Sequence, residues 1–265
     1  MWDALIISPF TNILLLIYGL LGHNFAIAIL VFTVLIRMIT YPLTIQQQKS
    51  AKAMQELQPK LKELQKKYAK DKEKLNQETM SLYKEAGINP LGGCLPLVLQ
   101  FPVFIGLYQV IMLVMAVNPL QMLNLSKHLQ GPLSQFVSTV LNTSLAGLVP
   151  LNERFLWLNL GQADPFYLLP IVVVLTTYWQ QKMMTPPSTD QQSQAMNQQM
   201  AIMMPLMFGY FVMVSPSGLG LYWLISNVIG IVQYWMVGKP QPAAVKATAK
   251  ATAVVPVKKK SDKKD

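Results

Sequence analysis

Six apolar runs, close to the roughly 20 residues that an α-helix needs to cross a hydrocarbon core, dominate this chain. They cover residues 4 to 22, 24 to 43, 91 to 117, 163 to 181, 201 to 214 and 219 to 237. With 52% of the 265 residues hydrophobic and 13% charged, the apolar content is gathered into these runs rather than spread through a globule. The pattern argues against a soluble fold and predicts an all-α, polytopic membrane protein.

The formal net charge is +10, so a nucleic-acid partner has to be weighed against the placement of that charge. Ten lysines fall between Lys49 and Lys84 and eight between Lys239 and Lys264. Basic segments beside apolar runs mark the cytoplasmic side of a membrane protein, and topology accounts for the charge better than DNA does. With the N-terminus outside and five crossings, the loop 44 to 90, the loop 182 to 200 and the tail from 238 are inside. Lys127 and Arg154 remain outside, and Arg37 lies within a span.

The first run is treated differently because Ser8, Thr11, Asn12, Tyr18, Gly19 and Gly22 recur along one helical stripe, interrupted by Leu15. That layout predicts an external interfacial helix over 1–23 instead of a sixth crossing. The core then extends over 24–237, with spans about 24–43, 91–117, 163–181, 201–214 and 219–237. Within it, 44–88 is polar and helix-prone, with Met54, Leu57, Leu61, Leu64 and Tyr68 spaced by three or four. A second, looser set follows in Leu75, Met80, Leu82 and Tyr83, and the pair reads as a cytoplasmic helical hairpin. The tail 238–265, rich in Ala, Lys, Val and Pro, reads as disordered.

Other stretches carry smaller signals. Pro90, Pro96 and Pro102 punctuate the third run and predict a bent helix whose freed carbonyls need neighbours or water. Phe155, Leu156 and Trp157 close the external stretch 118 to 162 as expected interface anchors. Met196 to Met207 offers an adaptable apolar surface or ordinary lipid-facing packing. Cys94 is the only cysteine, so neither a disulfide framework nor a cysteine-based zinc site is expected. The N-terminus lacks the basic n-region of a cleaved signal peptide, and Asp3 is its first charge.

Arg37 is the most informative residue. It lies five positions before Pro42 and six before Leu43, roughly 9 Å inside the cytoplasmic end of its helix at 1.5 Å per residue. Its guanidinium stays protonated, and lipid burial costs at least about 2.5 to 3.5 kcal/mol on the lenient insertion scale. Every Asp and Glu lies in a loop, a tail or the edge of a span, so no intramembrane carboxylate is on offer. The side chain either snorkels to the inner headgroups or enters a water-filled cavity open to the cytoplasm. Thr33, one turn away, and Gln100, Gln180, Gln181, Ser226, Asn227 and Gln233 in other spans supply polar groups for such a groove. A partly hydrated groove shortens the barrier that a polar tail meets in hydrocarbon, and a fixed positive charge attracts acidic residues in it. No covalent chemistry, metal or cofactor is needed.

Several motifs then resemble one family. Ala28-Ile29-Leu30 leads through Leu35-Ile36-Arg37 to Pro42-Leu43, and Lys52-Ala53-Met54-Gln55-Glu56-Leu57-Gln58-Pro59-Lys60 follows. Tyr83-Lys84, Asn89-Pro90-Leu91-Gly92-Gly93-Cys94, Gln100-Phe101-Pro102-Val103-Phe104, and Gly220-Leu221-Tyr222-Trp223 with Ser226-Asn227 complete the set. In this order the pattern resembles the YidC/Oxa/Alb membrane protein insertases from Trp2 to Gly238, in a short bacterial form without a large external domain. The resemblance implies five transmembrane helices, a cytoplasmic hairpin, an N-out orientation, a cytoplasmic C-terminus and residence in the bacterial inner or plasma membrane. It implies a client-binding groove holding Arg37, Thr33, Gln100, Gln181, Asn227 and Gln233, and a hydrophobic slide of Pro102, Phe104 and Trp223. Nascent membrane proteins and the bilayer are the implied partners. A ribosome, a targeting factor and a Sec translocon are candidates for the basic hairpin and tail.

A transporter or channel is the alternative, but it predicts a coupling carboxylate or a repeated half-structure, and neither is visible. An enzyme is not expected: there is no phosphate loop or metal-spaced pair, and His23 and His128 are isolated near the outer face.

Overall fold

The computed structural model describes residues 2–87, 95–115, 119–129, 131–148, 151–185 and 191–237. The expectations placed on the basic tail, on Asn89 to Pro90 and on Cys94 lie outside these residues.

A π-helical segment, Asp3–Ile7, runs directly into α1 (Ser8–Leu20). Gly22 and His23, at φ +72° and +59°, then reverse the chain. The Asn24 side chain caps the next helix by accepting from the Ile27 amide at 3.2 Å. The polar stripe of α1 turns toward protein. Thr11 donates to the Ile7 carbonyl at 2.7 Å, Asn12 donates to the Ser8 and His128 carbonyls, and the Tyr18 hydroxyl accepts from the Asn152 amide at 2.8 Å. Leu5 and Leu20 form part of its exposed side. Two of these partners, the His128 carbonyl and the Asn152 amide, lie far along the chain, where periodicity cannot see them.

α2 (Phe25–Lys67) is one continuous helix of 43 residues, about 65 Å long at 1.5 Å per residue. It contains both the expected first span and the first arm of the expected hairpin. Pro42 removes one backbone donor without ending the helix. On either side of it, Thr40 donates to the Ile36 carbonyl and Thr44 to the Thr40 carbonyl, at 2.9 and 3.1 Å. The turn at Tyr68 places that ring 5.2 Å from the Lys67 ammonium and 5.5 Å from that of Lys74. Asp71 accepts from the Lys74 amide and starts α3 (Lys72–Glu85), which folds back along α2. Leu57 and Leu61 are the buried seam residues of the α2 arm. A cleft of about 380 Å³ separates Lys60, Glu63 and Lys67 from Glu78, Ser81 and Glu85.

The remaining helices are α4 (Leu95–Val114), α5 (Pro119–His128), α6 (Pro132–Leu141), α7 (Leu168–Met184), α8 (Gln191–Val214) and α9 (Ser217–Val237). Before α7 lies a two-stranded antiparallel ribbon, β1 (Arg154–Phe155) and β2 (Leu158–Asn159). α9 packs on α2, α7, α4 and α8, while α1 fills the space beside α2, α4 and α6. Phe25, Ile29, Phe32, Leu107, Ile111, Val173, Leu219 and Tyr222 are buried between them.

The outer faces of the apolar helices carry large hydrophobic side chains. Ile171, Leu175 and Trp179 of α7 and Ile202, Met203, Leu206 and Met207 of α8 are exposed. A contiguous exposed apolar surface of this kind suits lipid rather than water. Among the described residues, Asp3–Leu20, Phe25–Gln46 and Ser217–Met236 are each long and apolar enough to cross a membrane, and Gln100–Val114 is a shorter apolar helix.

α1 and α4 meet at Gly106, where a Cβ would run into the Ile6 side chain and lie 3.3 Å from the Phe10 ring. Gly106→Val is expected to displace the N-terminal helix and destabilise the protein by about 1–3 kcal/mol, the usual cost of overpacking. Thermal unfolding of the detergent-solubilised protein measures it.

Candidate functional site around Arg37

Arg37 lies about 18 Å along α2 from Phe25, near the middle of the apolar part of that helix. Its side chain reaches across to α9 and stays within the bundle. Nε donates to the Ser226 hydroxyl at 3.1 Å, and Nη2 donates to the same hydroxyl at 2.6 Å and to the Ser226 carbonyl at 2.8 Å. Both partners are neutral. Among the described residues the acid–base contact, His128 Nε2 with Asp3 Oδ1 at 3.7 Å, lies elsewhere.

The site needs a glycine one turn further along α9. A Cβ on Gly230 would overlap the Gln180 amide and lie 3.7 Å from Nη2 of Arg37. Without it, α7 presents Gln180 to the same pocket that receives the guanidinium. Three helices therefore converge on one charge.

The other expected groove residues sit at varied distances from this point. Thr33 is fully buried, and its hydroxyl donates to the Ile29 carbonyl of its own helix at 2.6 Å. Gln100 of α4 donates to the Tyr222 hydroxyl at 2.5 Å. Asn227 donates to the hydroxyls of Thr176 and Thr177 at 3.1 and 2.8 Å, and Trp223 Nε1 donates to Thr177 at 3.1 Å. Gln181 donates to the Met200 carbonyl at 3.3 Å. The side-chain oxygens of Gln181 and Gln233 are buried without a protein donor among the described residues. A buried amide oxygen in this position calls for water or a ligand donor.

The residues expected to form a slide gather around one aromatic cluster. The Phe104 ring meets Trp223 edge-on at 5.2 Å, and Phe208 of α8 stacks on Trp223 at 4.0 Å and 28°. Phe211 lies 5.1 Å from Phe104. Pro102, half-buried inside α4, lies between Gln100 and this cluster in sequence. A narrow apolar crevice lies between Gln100, Phe101, Phe104, Phe208 and Trp223.

Residues 16–244 match the family described as the 60Kd inner membrane protein. The chain belongs to the YidC/Oxa/Alb family of membrane protein insertases. It is similar to the membrane protein insertase MisCA of Bacillus subtilis, with 35% identity over 246 residues, 90% of this chain and 80% of that one. Membrane protein insertase YidC 2 of Bacillus anthracis is 37% identical over 253 residues, covering 93% of this chain and 84% of the relative. The crystal structure of an active YidC insertase with its first transmembrane domain resolved superposes with a TM-score of 0.54 at 28% identity. That match covers 83% of this insertase and 43% of the longer chain.

Tyr222, Thr176, Thr177 and Phe208 also belong to the site of this insertase, beyond the residues expected there. Thr176 and Thr177 interrupt a run of Val and Leu, a signal that was available. Phe208 gave none, because an aromatic in an apolar span can face lipid or protein equally well. Ser226→Ala removes the hydroxyl that takes two of the three Arg37 bonds. It is expected to lower stability by about 1.5–3 kcal/mol, the range for hydrogen bonds to charged groups. Comparing unfolding midpoints in detergent checks it.

Proposed function

We propose that this insertase moves client segments through a hydrophilic groove centred on Arg37, with an apolar slide beside it. One observation carries the reading. A permanently charged guanidinium deep in an apolar bundle is held by a serine hydroxyl and carbonyl, so its position is fixed while its charge is left uncompensated. The orphan oxygens of Gln181 and Gln233 add demand for water at the same half of the bundle.

In this scheme α2, α4, α7, α8 and α9 cross the bilayer, α1 lies along the outer interface, and the α2–α3 hairpin projects into the cytoplasm. The lysines of the hairpin and Lys182 at the end of α7 support that orientation. A client's polar tail enters the groove, where partial hydration replaces some of the hydrogen bonds it gives up. An acidic residue 4 Å from the guanidinium gains about 4 kcal/mol at an effective dielectric of about 20 but only about 1 kcal/mol in bulk water. The groove therefore has to be damp rather than flooded. The client's apolar helix meanwhile passes Pro102, Phe104 and Trp223 and leaves sideways into lipid. Nascent membrane proteins are the substrates, with a ribosome, a targeting factor or a Sec translocon docking on the basic hairpin and tail.

Arg37→Ala is expected to impair insertion of clients with acidic outer tails, while Arg37→Lys keeps part of the activity because the charge survives and the fork does not. Insertion into reconstituted vesicles tests both, and unchanged insertion across several such clients overturns the reading. Removing residues 239–265 is expected to abolish a salt-sensitive association with ribosomes. Cosedimentation at two ionic strengths measures it, and unaltered binding excludes the tail as the main contact.

A further inference from the structure

The end of the bundle opposite the hairpin carries a second organised feature. There the β1–β2 ribbon turns at Leu156 and Trp157, and the chain enters α7 through Phe166 and Tyr167. Leu156 and Tyr167 both occupy the left-handed region, at φ +54° and +55°, where bulky side chains are unfavourable. One buried carboxylate joins the two turns. Asp164, 2% exposed, accepts from Trp157 Nε1 at 3.2 Å and from the Phe166 amide at 3.1 Å through one oxygen. Its other oxygen accepts from the Leu169 amide at 2.7 Å, in the first turn of α7, where the helix dipole favours a negative group.

At the two turns beside this buried charge the outward-facing side chains are apolar, while Arg154 and Gln162 are exposed polar residues at the base of the ribbon. Leu156 is 76% exposed and Phe166 70%, with Trp157, Tyr167 and Leu168 exposed beside them. Phe155, expected to be an anchor with its two neighbours, instead packs against the core. The ribbon is also bolted to α9: the Ser217 amide donates to the Gln162 carbonyl at 2.6 Å, and the Ser217 hydroxyl donates to the Asn159 carbonyl at 2.6 Å. Backbone strain maintained by a rigid mount, to display greasy side chains, calls for a partner.

We propose that Leu156, Trp157, Phe166 and Tyr167 form a rigid finger that inserts into the membrane interface, and that Asp164 is its positioning residue. The lipid surface is favoured over a protein because the finger sits at the start of α7, whose exposed Ile171 and Leu175 continue the same apolar surface along the helix. Trp157 is suited to that layer, since its indole N–H is already satisfied by Asp164 and only ring surface is presented. The feature is independent of the Arg37 groove and of which side of the membrane the ribbon faces.

The test uses the full chain carrying Cys94→Ser and a nitroxide at Leu156→Cys or Phe166→Cys, reconstituted alone into phosphatidylcholine–phosphatidylglycerol vesicles. Collision with oxygen, which concentrates in lipid, is compared with collision with a water-soluble nickel chelate, and a label at Asn152→Cys serves as the aqueous reference. Both finger labels are expected to favour oxygen, and Asp164→Asn is expected to shift both toward the nickel reagent. Nickel access equal to that at position 152 overturns membrane insertion. Shielding from both reagents overturns it too, by placing protein on the finger. Unchanged profiles in the Asp164→Asn protein overturn the positioning role.

Discussion

A guanidinium fixed in an apolar bundle by neutral partners is the constraint around which this insertase is built. A carboxylate opposite Arg37 would have stabilised the charge and silenced it. Ser226 supplies a hydroxyl and a carbonyl instead, which orient the fork without cancelling its field. The arrangement requires α2 and α9 to stay in contact, and it requires Gly230, because a side chain there would evict Gln180. Truncating the charge and truncating its holder are therefore different perturbations. The first changes what the proposed groove attracts, and the second changes how firmly the bundle holds the charge.

α9 organises both halves of the proposed machinery through helical spacing alone. Tyr222, Ser226 and Gly230 recur every four residues and meet Gln100, Arg37 and Gln180. Trp223 and Asn227, one position on, face Thr177, and Trp223 also carries the stacked ring of Phe208. Two rows thus run side by side on one helix, Tyr222–Ser226–Gly230 toward α2, α4 and Gln180 and Trp223–Asn227 toward the threonines of α7. The indole N–H of Trp223 and the amide N–H of Asn227 are both satisfied by α7, so neither is left as a bare donor in the apolar bundle.

Much of this was legible in the chain itself. Each apolar run falls within or across a helix, because length and hydropathy are properties of the segment. The bounds differ: the helix holding 201–214 begins at Gln191, and the one holding 24–43 runs on to Lys67. Arg37 stood out because a charge in such a run has no cheap solution. What depends on partners far away was harder to read. Pro42 suggests a boundary between span and hairpin, yet α2 continues through it and through Pro59, with Thr40 and Thr44 bonding back to the helix on either side of Pro42. Thr33, expected in the groove, donates its hydroxyl to the Ile29 carbonyl one turn back, a bond that its place in an apolar helix makes available locally. The stripe on α1 found its acceptors and donors at residues 128 and 152, beyond the reach of any local pattern. The two-residue strands β1 and β2 are too short to leave a period at all.

The two ends of the molecule differ in how their polar groups are satisfied, and the difference bears on direction. At the ribbon end, Ser217 bonds to the carbonyls of Asn159 and Gln162, and the Gly218 amide to that of Leu160, while Asp164 takes three N–H groups. Toward the hairpin, the side chains of Gln48, Gln58, Gln181 and Gln233 each keep a buried polar atom without a protein partner among the described residues; elsewhere only Asn12 does so. An unmet buried amide costs about 1–3 kcal/mol, so Gln181 and Gln233 favour water at the hairpin end of the bundle. In the function proposed above, a bundle wetted from that side and stapled at the far side lowers the barrier for a polar segment only part of the way across. That is the condition under which a client can be helped into the bilayer without the membrane acquiring a continuous aqueous leak.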